Sequence, residues 1–275
     1  MSSNIFGSVP ILVVVAIQLL LVHNVSSQNV TNDYLNHQCN NTQGRYTHGS
    51  TFEKNLNQVL HNISNLDLRY GYAYVSNVVA YKVSKDPNIV FVLLQCRGDS
   101  FGSKCHSCLS TAVSGLRERC PGNRGATIWY DQCLLEISSV DSEGRIHYKR
   151  MFYMQNPTNV TNDPKRFEDK RRDLLHKLML EATKDSKENG AKGLLYAVGE
   201  MRIGRNKMYA MVQCTQDLWQ TGCHVCLEWI TQMKYGEFFY RKPGGRVCDH
   251  GHVLIYGHVH GPDHYIVEIV GFEHI

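Results

Sequence analysis

Ten cysteines in 275 residues fall into a repeated frame, and that frame constrains the fold more than any other feature. Cys96-x8-Cys105-x2-Cys108 recurs as Cys214-x8-Cys223-x2-Cys226, 118 positions further on. Other residues recur at the same offset: Gln95 with Gln213, Asp99 with Asp217, His106 with His224, Leu109 with Leu227. That many coincidences identify an internal duplication, so the chain reads as two tandem domains of roughly 120 residues each. Cys39, Cys120 and Cys133 complete the first copy, and Cys248 lies near the end of the second.

The N-terminus fixes how those cysteines are read. Ile11 to Val22 read ILVVVAIQLLLV, an apolar run of 12 residues, where a membrane span needs about 20. Small and polar residues Val25, Ser26 and Ser27 follow, which suits a signal peptide of residues 1–27 cleaved after Ser27. Beyond it, no stretch is apolar enough to span a bilayer. The mature chain is thus expected to be secreted, into a compartment where an even number of cysteines reads as disulfides. Cys105-His-Ser-Cys108 also has the spacing of a redox pair or of half a zinc site. A third cysteine nine positions upstream argues against the first, and the oxidising compartment against thiolate ligands. Spacing leaves the pairing open. Four Asn-x-Ser/Thr acceptor sites of the mature chain, at Asn29, Asn40, Asn62 and Asn159, fit an exported glycoprotein.

Each copy reads in the same order. Ser50-Thr-Phe-Glu53 resembles a capping box, and Phe52, Leu56, Val59, Leu60 and Ile63 follow at helical spacing. Tyr- and Val-rich segments at 70–83 and 88–95 read as strands, 105–116 as a helix with its cysteines on the inner side, and 126–139 as a strand. In the second copy, 164–184 and 223–235 read as helices; 207–214, 247–258 and 264–270 read as strands. Short helices interspersed with adjacent strands give an α+β class with helices on one face of an antiparallel sheet. The domains are placed at 28–143 and 144–275. With 29 basic residues against 25 acidic, the charge is too balanced to argue for a nucleic-acid binder, and none is expected as a partner.

The chain resembles a plant cysteine-rich repeat secretory protein. Beyond the cysteine frame, the resemblance rests on Tyr46-Thr-x2-Ser50-Thr-Phe-x3-Leu56, Trp129-Tyr-Asp-x-Cys133, Tyr209-x3-Gln213-Cys-Thr-x-Asp217-Leu and Gly244-Gly-Arg-Val247. The repeat is similar to the ginkbilobin-homologous domain, shared with cysteine-rich receptor-like kinases and plasmodesmata-located proteins. It implies two helices on a five-stranded antiparallel sheet per domain. It also implies the pairs Cys39–Cys120, Cys96–Cys105 and Cys108–Cys133. The second copy lacks a counterpart of Cys39 and has Phe238 where a fifth cysteine would fall. There we expect Cys214–Cys223 and a relocated Cys226–Cys248, and the domain with fewer staples should be the less stable.

The resemblance extends to a mannose-binding lectin whose site uses an Asn after the first cysteine, an Arg and a Glu. Here the Asn is Asn40, inside its own sequon, while Thr127 and Ser138 hold the Arg and Glu positions. In the second copy Arg246 is present and Gly257 holds the carboxylate position. Tyr70, Tyr72, Tyr74 and Tyr81 offer either a binding surface or core packing. The His250/His252 and His258/His260 pairs, each i, i+2 on a strand, could ligate zinc or copper. No Gly-rich phosphate loop and no Gly-x-Ser-x-Gly occurs. The expectation is a non-enzymatic binding protein of the plant apoplast without a cofactor, acting in defence or signalling on a glycan or receptor ectodomain.

Overall fold

In the computed structural model each copy of the duplicated frame builds its own sheet and its own core. The structure describes residues 32–77, 86–184, 194–234, 239–250 and 254–260. Residues 1–27, read above as a signal peptide, Asn29, Tyr81, His252 and the segment 264–270 lie outside them.

The first copy begins with β1 (Tyr34–Cys39), followed by a short 3-10 turn (Asn41–Gln43) and α1 (Thr51–Ser64). α1 starts where the sequence says it should. Ser50 Oγ accepts the Glu53 backbone N–H at 3.3 Å, and Glu53 Oε2 accepts the Gly49 N–H at 2.6 Å. The first bond satisfies an amide donor that the first helical turn leaves orphaned, and the second ties the residue before the cap back to the helix. The stripe Phe52, Leu56, Val59, Leu60 and Ile63 is buried. β2 (Tyr72–Ser76), β3 (Phe91–Cys96), α2 (Ser103–Arg119), β4 (Ala126–Tyr130) and β5 (Cys133–Ser138) complete the unit. α2 runs two residues further N-terminal than its periodicity suggested. Gly102 supplies the positive φ of 59° that turns the chain into it.

The strand order is β1-β4-β5-β3-β2, every pair antiparallel. The segment read as one strand, 126–139, is a hairpin turning at Asp131 and Gln132. Its apolar run is continuous because both sheet faces are covered. Ala126, Ile128, Leu135 and Ile137 face the core beneath the helices, and Trp129 and Leu134 join Leu93 in a second cluster on the reverse face. Tyr72 and Tyr74 pack against that second cluster, so these two tyrosines serve packing. Tyr70 is exposed.

The second copy repeats the topology. β6 (His147–Gln155), α3 (Pro164–Ala182), β7 (Tyr196–Ile203), β8 (Asn206–Gln213), α4 (Gln220–Trp229), β9 (Gly245–His250) and β10 (Leu254–His260) give the order β6-β9-β10-β8-β7. Asp163 caps α3 through the Arg166 N–H. A π-helical turn, Ile230–Lys234, extends α4. The segment read as one strand at 247–258 is the β9–β10 hairpin. Strands β1, β6 and β7 were not anticipated. β1 is a half-buried sheet-edge strand, and β7, also at an edge, alternates around Gly199 and Glu200. Such patterns carry little of the apolar signal of central strands.

Among the described residues four disulfides are present: Cys39–Cys120, Cys96–Cys105, Cys108–Cys133 and Cys214–Cys223. The first closes a separation of 81 residues. On the chain-entropy account such a staple contributes on the order of 4 kcal/mol. Cys226 is buried on α4. The second copy holds the loop after position 238, one end of the place that staple would take, differently. Arg171 on α3 donates to the carbonyl of Phe239 at 2.8 Å and pairs with Glu168. Glu168 Oε1 in turn accepts the Arg241 N–H at 2.8 Å and holds that residue at φ 63°. This buried clamp ties α3 to the loop that follows position 238, where the missing staple would have ended.

Candidate functional site

Two places in the fold concentrate polar chemistry: the junction between the copies and a groove beside Asn40. Both are set by residues singled out in the sequence, in roles the sequence did not assign.

At the junction, Gln213 Oε1 accepts the Gly98 N–H at 3.0 Å, and Gln95 Oε1 accepts the Gln216 N–H at 3.0 Å. Both side chains also donate through Nε2 to the Cys96 carbonyl, each at 2.9 Å. Nearby, Asp131 in the β4–β5 turn binds two guanidiniums. Arg97 Nη1 meets its Oδ2 at 2.7 Å, and Arg246 Nη2 meets its Oδ1 at 2.6 Å. Arg97 also grips Asp99. Burial works to push the Asp99 carboxyl up, but the Arg97 guanidinium beside it prevails and holds it below its ordinary range. Apolar contact completes the seam. The Trp129 and Phe152 rings meet edge-on at 5.2 Å, and the Tyr196 ring covers Gly98 so closely that a Cβ there would lie 2.4 Å from it.

Arg246 therefore sits at 3% exposure inside an ion pair. This guanidinium pairs with Asp131 of the first copy and so bridges the two copies. Thr127 and Ser138, at the other positions of the lectin pattern, are likewise buried.

Asn40 has a different setting. Its Oδ1 accepts the Thr42 N–H at 3.1 Å and the Thr42 hydroxyl at 2.6 Å, capping the 3-10 turn. It borders a groove of about 270 Å³ together with Gln43, Glu136, Asp141 and Arg145. Gln43 crosses the groove floor: it donates to Ser138 Oγ at 3.0 Å and accepts the Ser139 N–H at 2.7 Å. Tyr74 donates to Asp141 at 2.7 Å, and burial together with that carboxylate pushes its phenol up. The groove thus offers amide, carboxylate and guanidinium groups at one place. Of the other acceptor sites, Asn62 is exposed near the end of α1 and Asn159 is exposed in the loop before α3.

Gly245 pairs with Gly257 at one end of the β9–β10 hairpin, while His250 ends β9 at the other. His258 lies one residue beyond Gly257, so it and His250 are at least five strand residues apart, about 17 Å at 3.3 Å per residue. That register sets His250 far from His258 for one ion, since a tetrahedral site needs its donors about 2 Å from the metal; His252 lies outside the described residues. His37 comes near Cys39 and Cys120, but those sulfurs are bonded to each other.

The duplicated unit matches the salt stress response/antifungal family twice, over residues 38–140 and 154–255. The chain belongs to that family. It is 66% identical over 257 residues to cysteine-rich repeat secretory protein 13 of Arabidopsis thaliana, covering 93% of this chain and 97% of that one. It is 53% identical over 246 residues to cysteine-rich repeat secretory protein 42 of the same plant, covering 89% and 93%. Among solved structures it resembles the tandem DUF26 ectodomain of the Arabidopsis cysteine-rich receptor-like protein PDLP8. The TM-score is 0.65 at 23% identity, over 84% of this chain and 99% of that one. The corresponding ectodomain of PDLP5 matches at TM-score 0.65 and 20% identity. These likenesses establish the tandem fold. Among the described residues no helix is long and apolar enough to cross a membrane.

Proposed function

We propose that this chain is a secreted, non-enzymatic recognition protein whose first domain binds a glycan in the groove beside Asn40. The reading takes 1–27 as the signal peptide, 28–143 and 144–275 as the two domains, and the apoplast as the place of action. Relatives named as secretory proteins support export. One observation carries the binding reading. An open groove of about 270 Å³ gathers Asn40, Gln43, Glu136, Asp141 and Arg145, groups that both donate to and accept from hydroxyls. Neither Arg246 nor Thr127 contributes, so the sugar contacts differ from the Asn, Arg and Glu set of the related lectin.

Asn40 ties the reading to glycosylation. Thr42 engages Oδ1, which leaves the amide nitrogen either for a ligand or for the chain's own N-glycan. The test applies the mature chain, Gln28 to Ile275, to an array of mannans, glucans, chitin and pectin fragments, with enzymatically deglycosylated protein beside it. Binding that appears or strengthens on deglycosylation and disappears in Asp141→Asn with Arg145→Gln supports the groove. A blank array with both preparations overturns the glycan reading and leaves a protein partner.

A further inference from the structure

Trp219 is the most exposed large apolar side chain among the described residues, at 71%. The offset of the duplication pairs it with Phe101, as it pairs His224 with His106. Trp219, Gln220, Thr221 and His224, at the start of α4, line a groove of about 410 Å³ together with Thr183 at the end of α3. That volume falls within the roughly 300–1,000 Å³ of small-molecule sites. No Asp, Glu, Lys or Arg is among these residues, so the groove suits a neutral ligand. His224 is set as an acceptor. The Thr183 hydroxyl gives its one proton to the Met179 carbonyl at 2.8 Å, so its oxygen receives the Nδ1–H of His224 at 3.2 Å. The neutral imidazole then carries its lone pair on Nε2. The Gln220 amide and the Thr221 hydroxyl supply both donors and acceptors beside it.

A flat indole beside uncharged polar groups fits a ligand that is apolar on its face and polar at its rim. A pyranose with equatorial hydroxyls has that shape: its axial C–H groups make an apolar face, and its hydroxyls lie close to the plane of the ring. Stacked on Trp219, the C–H face leaves water while the hydroxyls meet the polar groups. A purely apolar ligand would instead cover Nε2 and the Gln220 amide without giving them a partner. We propose that Trp219 and His224 form a sugar-stacking site in the second copy, for the all-equatorial glucosyl units of a β-linked glucan. Trp219 carries the ring, and His224 Nε2 accepts one of its hydroxyls. The site shares no residue with the Asn40 groove, so the two readings are decided separately.

The probe is cellotriose, titrated into the mature chain and followed by saturation-transfer NMR. Sorbitol, which has hydroxyls but no flat ring, and acetyl-phenylalanine amide, which has a flat ring but no hydroxyls, are the competitors. The expected result is saturable transfer to cellotriose, stronger at the axial ring protons of one face than at the hydroxymethyl groups, with neither competitor displacing it at equal concentration. Trp219→Ser should weaken binding about tenfold, the loss of one anchor contact. Trp219 is exposed, so this variant should fold, which circular dichroism checks. His224→Leu should weaken binding about fivefold, and His224→Gln, whose amide oxygen can accept in place of Nε2, should recover most of that loss. Phe101→Ser, at the first-copy counterpart, and Asp141→Asn with Arg145→Gln, in the Asn40 groove, should bind cellotriose as the parent does. Absent transfer, displacement by either competitor, parent-like affinity in Trp219→Ser, equal affinity of the two His224 variants, or loss of binding in the Asn40-groove variant would each overturn the proposal.

Discussion

Gln95 and Gln213, 118 positions apart, each accept a backbone N–H from the other copy, and both donate to one carbonyl, that of Cys96. Both side chains are buried. Replacing either by Leu removes an acceptor and leaves a junction N–H without its partner, a loss of roughly 1–3 kcal/mol. Because the two share an acceptor, the double variant should lose less than the sum of the singles. Urea unfolding of all four proteins reads the coupling. Strict additivity would mean that the pair is not a unit.

Gly98 admits the Tyr196 ring. Gly98→Ala should force the ring to move and cost roughly 1–3 kcal/mol, as overpacking does. Adding Tyr196→Ala should restore part of the loss. A thermal melt in which Gly98→Ala equals the parent would show that the seam is looser than described.

Removing Arg246 leaves Asp131 with Arg97 and the Gln132 amide in a half-buried turn. Arg246→Gln should destabilise by roughly 1–3 kcal/mol, the loss of one charge-assisted hydrogen bond. It should leave glycan binding per folded molecule unchanged. Selective loss of sugar binding with stability intact would return this residue to the lectin role.

Cys226 and Cys248 should appear linked in a non-reducing peptide map of the secreted protein. Cys226 is buried in the second core, in the position that Cys108 occupies in the first. Alkylation of Cys248 in the unreduced, denatured protein would refute the pairing.

Glu53 makes a pH prediction. The Gly49 N–H, and beyond it His48, hold its carboxyl below the ordinary value of a glutamate. A carboxyl depressed in the folded state stabilises it above the unfolded pKa, and that contribution is lost as pH falls through the folded value. Glu53→Gln should therefore be less stable than the parent near neutrality and converge with it in acid. Parallel stability curves down to pH 2 would show that the helix cap contributes nothing.

How far the sequence could be read follows from what each residue faces. α1 was legible to within a residue because its cap and its apolar stripe are local patterns. The hairpins at 126–138 and 245–260 were not, since burial on both faces of β4 and β5 erases the alternation that marks a turn. Gln95 and Gln213 were visible as a repeat match, but nothing local says that two amides meet across the copies. The same holds for Arg246: its Gly-Gly-Arg-Val setting is local, while its partner Asp131 lies 115 positions away. The Asn40 groove was half legible: Asn40 was named, but Gln43, Glu136, Asp141 and Arg145 carried no motif.

The Arg171–Glu168 clamp bears on how the protein matures. A disulfide waits for an oxidant and for the right thiol to be reached, whereas an ion pair closes as soon as helix and loop meet. Where Cys39 and Cys120 make the first domain depend on an oxidant, the second domain holds the loop after position 238, one end of the missing staple, without it. That loop should survive a mild reductant that opens the first domain's staple.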